Sequence, residues 1–155
     1  MKTGNGTMGI LESLILINGD RIRMYQKALK AITGNSSYES VFKRMIQQSI
    51  NNRHKLIGLR EGRGVEDNPI TDSGHIYKQW TNVKSKYKGN AAVSSLEICE
   101  YNEQAAEAAY TKSLDLSINL TQEIREVIKL QKEELKESHD LIKIKWAVEK
   151  LLISK

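Results

Sequence analysis

The segment SSLEICEYNEQAAEAAY, residues 94–110, spaces Leu96, Cys99, Ala106 and Tyr110 at the intervals of one helix face. On a helical wheel these four side chains fill an apolar sector about 80° wide. Glu97 falls well outside that sector, and Glu100 and Glu107 sit on its rim. Glu103 falls inside it. The pattern predicts a helix over residues 91–116 with three solvated acids and one carboxylate directed inward. That carboxylate either serves a metal or meets polar partners on other helices.

Three further stretches carry the same repeat. Residues 10–32 present Leu11, Leu14, Ile15, Ile22, Tyr25, Leu29 and Ile32; residues 38–60 present Val41, Phe42, Met45, Leu56 and Leu59. A last helix starts near Thr121 and presents Ile124, Ile128, Leu135 and Ile142. Gly34 and Asn35 suit a C-cap, and Ser36 or Ser37 an N-cap, so the first two helices are joined tightly. Residues 61–90 hold Gly62, Gly64 and Asp67-Asn68-Pro69, which break the helix. A short helix is expected within them, from Asp72 or Ser73 to Tyr87, with Ile76, Trp80, Val83 and Tyr87 on one side. Such a long connection can run the length of a bundle and set the third helix parallel to the second, the ferritin-like connectivity. The expectation is one all-α domain over residues 1–155, an antiparallel four-helix bundle with residues 1–9 disordered or flexible, residues 61–90 as the crossover and residues 141–155 as a C-terminal extension.

Each helix has a polar defect at mid-length: Asn18 on the first, Ser49 and Asn52 on the second, Glu103 on the third and Gln131 on the fourth, with Ser138 beyond. Buried polar groups cost a few kcal/mol unless hydrogen-bonded, so these residues are expected to meet in one layer. Di-iron bundles place their ligands at that height, but they need a Glu from each of two helices and Glu-x-x-His from each of the others. Here Asn51 stands three residues before His54, and Lys136 three before His139. The ligand set is incomplete. If a metal is held, Glu103 is the first candidate ligand, followed by Glu100, Glu134 and His139.

Other signals are weaker. GNGTMG, residues 4–9, matches the spacing of a dinucleotide-binding loop, but no strand precedes it. Residues 78–89 interleave Trp80 and Tyr87 with four lysines, which suits aromatic packing of the crossover with lysines facing water. A net charge of +5 is mild, and binding to nucleic acid or to membrane is not expected. The single cysteine, Cys99, cannot close an internal disulfide and reads as a buried structural thiol. With no signal peptide and no apolar run long enough to span a bilayer, a cytoplasmic location is expected. After Asp140 the apolar residues of the last helix (Leu141, Ile144, Val148, Leu151 and Leu152) lie roughly 150° round the cylinder from those before it. They form either a tail packed on its own bundle or a seam for a second copy or a protein partner.

LINGDRIRMYQKAL (16–29), WTNVKS (80–85), EICEYNEQAAEAAYTKSL (97–114) and LKESHDLI (135–142) resemble a bacterial family of uncharacterised ferritin-like four-helix-bundle proteins. That family is classed as a domain of unknown function, and the resemblance covers residues 10–145. It implies the crossover topology and a bacterial, cytoplasmic setting, and it supplies no catalytic residue and no cofactor. The functional expectation is a non-enzymatic structural or interaction bundle, dimeric if residues 141–152 form a seam. The alternative is a diverged metal or redox protein using Glu103.

Overall fold

The computed structural model describes residues 7–31, 36–62, 76–78, 80–81, 92–116 and 120–154, all of them helical except Leu120 and Thr121. Four long helices result: α1 (Thr7–Ala31), α2 (Ser36–Gly62), α3 (Ala92–Leu116) and α4 (Gln122–Ser154). Their limits fall within a few residues of those read from the periodicity. The segment expected to be flexible, residues 1–9, is corrected at Thr7, Met8 and Gly9, which belong to α1. Fully buried Ile10 and Leu11 anchor that first turn. Residues 1–6 lie outside the described residues, as do Gly34, Asn35, Val83 and Tyr87. At the start of α4, Thr121 caps the helix. Its Oγ1 accepts the Ile124 N–H at 3.3 Å and its carbonyl accepts the Arg125 N–H at 3.0 Å.

Cross-helix bonds fix the directions. Along α1, Glu12, Asn18 and Arg21 meet Arg60, Asn52 and Ser49 in turn, so α1 and α2 are antiparallel. Asn18 and Arg21 meet Tyr110 and Glu103, which makes α3 antiparallel to α1. Tyr110 and Glu107 meet Gln131 and His139, so α4 is antiparallel to α3. It follows that α2 and α3 run the same way, joined by the long crossover, and α4 closes the ring by packing on α2 as well as α3.

The apolar interior has two parts. One contains Leu11, Leu14, Leu56, Ala106, Ile124 and Ile128, and the other Tyr25, Phe42, Met45, Cys99 and Ile142. Between them lies a polar belt. Ile76 and Trp80 of the crossover are buried in the first part, where Trp80 Nε1 donates to Asp20 Oδ2 at 3.0 Å and Tyr77 OH donates to the same oxygen at 2.8 Å. The crossover is thus fastened to α1 by one buried carboxylate as well as by packing.

Residues 141–154 continue α4 without a break, and at 33 residues α4 outruns the 25 to 27 of the others. Ile142 is buried and Leu141 packs partly on the second apolar part. The Lys145 ammonium lies over the Tyr38 ring, 5.6 Å from its centre. On either side of that contact apolar residues face outward: Ile144 is 61% exposed, Val148 49% and Leu151 66%. The side chain of Leu152 lies outside the described residues. No helix among the described residues is long and apolar enough to cross a membrane.

Candidate functional site

The belt across the middle of the molecule gathers the inward polar residues named from the sequence. Asn18, Ser49, Asn52, Glu103, Gln131 and Ser138 are all buried. Glu103 and Ser49 are joined by a residue that the hydrophobic pattern passes over. Arg21, 1% exposed, lies on the buried stripe of α1 formed with Leu14, Asn18, Tyr25 and Ala28. Its Nε donates to Glu103 Oε2 at 2.7 Å and its Nη2 to Oε1 at 2.9 Å, a two-pronged pair that matches guanidinium to carboxylate. Nη1 donates to Ser49 Oγ at 2.7 Å. Tyr25 OH donates to Glu103 Oε2 at 2.6 Å, and the guanidinium lies 5.4 Å from the centre of the Tyr25 ring. Burial opposes the arginine's charge, but the Glu103 charge and its hydrogen bonds outweigh that and hold the guanidinium more firmly protonated than usual.

One turn away a neutral ladder crosses all four helices. Asn18 donates to Tyr110 OH at 2.9 Å, and Tyr110 donates to Gln131 Oε1 at 2.7 Å. Gln131 reaches the Asn52 carbonyl at 3.4 Å, and Asn52 returns to Asn18 Oδ1 at 3.5 Å. Further along, Ser138 Oγ donates to Gln48 Oε1 at 3.1 Å. Tyr110 reads as an apolar residue in the sequence, yet its hydroxyl is the hub of this ladder. Among the described residues, Asn102 Oδ1 is the buried side-chain oxygen left without a partner.

The candidate metal ligands do not converge. Glu103 is saturated by Arg21, Tyr25 and their hydrogens. Glu134 is half-buried on α4, where its backbone carbonyl accepts from Gln48 at 3.3 Å. His139 is buried and bridges α4 to α3: Nδ1 faces Glu107 at 3.1 Å and Nε2 faces Glu100 at 3.3 Å. The two ring nitrogens point in opposite directions, so the two acids and the imidazole share no common centre. His54 is exposed. Among the described residues no group of three or more His, Cys, Asp or Glu is arranged to hold a metal ion. The described residues do not fit a dinuclear centre.

The chain matches no protein-family model, no curated protein and no solved structure. Glu103 Oε2 accepts from Arg21 and Tyr25, and Oε1 accepts from Arg21.

Burial, with the charge of Glu103 adding to it, pushes the Tyr25 phenol well above its ordinary 10.0. Burial likewise raises Tyr110, and burial with the Asp20 hydrogen bond pushes Tyr77 up to about 12. The unfolded chain releases these protons near pH 10 while the folded chain keeps them. Their contribution to stability is complete below that value and lost as pH rises through it toward the folded values. The melting temperature should hold to about pH 10 and then fall, and Tyr110→Phe should reduce the slope. A melting temperature that stays level well above pH 10 would contradict this.

Proposed function

We propose that this chain is a ferritin-like four-helix bundle with a non-enzymatic, protein-interaction role, set in a bacterial cytoplasm and presenting the end of α4 to its partner. The observation that carries the reading is the Arg21–Glu103 pair. In a metal-bearing bundle the central carboxylates face an ion, whereas here the Glu103 carboxylate faces a guanidinium that neutralises it. The parallel course of α2 and α3 through one long crossover supports the ferritin-like part of the proposal. The outward Ile144, Val148 and Leu151 support the interaction part, with Leu141 and Leu152 as flanking positions on the same extension.

Elemental analysis after loading with iron, manganese and zinc tests the first part. Bound metal should stay well below one ion per chain and should be the same in Glu103→Ala. Stoichiometric metal lost on that substitution would favour the diverged metal protein instead. Light scattering on the full chain and on a version ending at Asp140 tests the second part. A mass difference beyond that of the deleted residues supports a seam at the end of α4, and monomers in both cases restrict the end to partners other than a second copy.

A further inference from the structure

We propose that the groove between α1 and α2 receives the outer face of α4 from a second copy of this chain, with Leu130 seated above Gly19 between Arg23 and Arg53. The proposal rests on the interaction role given above and names a partner for a surface separate from the α4 end. The groove encloses about 250 Å³ and is floored by Ile15, Leu16 and Ile22. A Cβ added to Gly19 would lie 3.7 Å from Arg53 Nε and 4.0 Å from Arg23 Nη1, both ordinary contacts. Alanine would fit, and it favours a helix more than glycine does. Packing within the chain gives no reason for the notch. Both guanidinium groups converge above it. Arg23 is tied to Asp20 through its other Nη, and Arg53 forms no ion pair among the described residues.

The complementary surface is on α4. Glu123, Glu126, Leu130, Glu133 and Glu137 recur at three- and four-residue steps, within about 80° of one another on the helix, and all are exposed. None of these four acids is ion-paired among the described residues. Leu130, 57% exposed, stands in the middle of them. An apolar knob framed by carboxylates thus matches an apolar notch framed by guanidinium groups. The two cannot meet within one copy, because Gln131 and Ser138 turn inward between α2 and α3 while Leu130 faces outward. Two copies of the groove would repel each other through their arginines, whereas groove against α4 face attracts, which sets the contact as groove to knob.

Sedimentation equilibrium on the full chain and two surface variants provides the test. The wild type should associate, and more weakly in high salt. Leu130→Asp and Arg53→Glu should each raise the dissociation constant about tenfold or more while leaving the far-UV spectrum unchanged. Mixing the two variants should restore a one-to-one pair, since each retains the surface that the other lacks. Gly19→Ala should raise the melting temperature and still weaken association. A monomeric wild type would overturn the inference, as would association indifferent to Leu130→Asp and Arg53→Glu. If Ile144→Asp alone abolishes association, the α4-end reading stands and the groove proposal falls.

Discussion

Replacing Glu103 with alanine should lower the unfolding free energy by about 3–5 kcal/mol, because it strands the Arg21 guanidinium in a fully buried position. Arg21→Met should cost a similar amount by leaving the carboxylate with only the Tyr25 hydroxyl. The informative variant is the pair, Arg21→Met with Glu103→Leu. Removing both charges also removes the desolvation that each requires, so most of the loss should be recovered. What remains is the cost of Ser49 and Tyr25 hydroxyls left without partners, about 1–3 kcal/mol. Urea unfolding followed by far-UV circular dichroism measures all three. If either single variant loses less than about 1 kcal/mol, water reaches the belt and the ion pair is not the buried link described here.

The second large effect is expected at the crossover. Trp80→Ala should cost about 3–5 kcal/mol, since it removes a fully buried indole and leaves Asp20 short of a donor. Trp80→Phe keeps most of the packing and loses the Nε1 bond, so its cost should fall to about 1–3 kcal/mol. Asp20→Asn should loosen the same segment, because Tyr77 and Trp80 both donate to one of its oxygens. Hydrogen exchange at residues 76–81 should quicken in Asp20→Asn while the mid-helix amides of α2 change little. Equal quickening everywhere would mean that the crossover is not separately fastened.

The helices could be read from the sequence because their apolar residues keep a 3.6-residue period and their ends carry breakers. The inward placement of Glu103 was readable for the same reason: it falls among Cys99, Ala106 and Tyr110. Arg21 was not, since an arginine is ordinarily assigned to solvent. One clue was present: Arg21 lies seven residues after Leu14, three after Asn18 and four before Tyr25, the spacing of a buried stripe. Glu103 needed a counter-charge, and Arg21 was the basic residue on that stripe. His139 escaped for a different reason. A wheel places it on a rim, but whether a rim position is covered depends on the neighbouring helix, and Glu100 and Glu107 cover it here.

The ion pair joins positions 82 residues apart in the chain. Each hairpin, α1 with α2 and α3 with α4, can zip up from neighbouring sequence, but neither can neutralise its own buried charge. Pairing Arg21 with Glu103, and so compensating the loss of water from both charges, requires the two halves to come together. A half that arrives shifted by one turn would trap a lone ion in hydrocarbon and be rejected. The belt thereby penalises assembly of the two halves out of register.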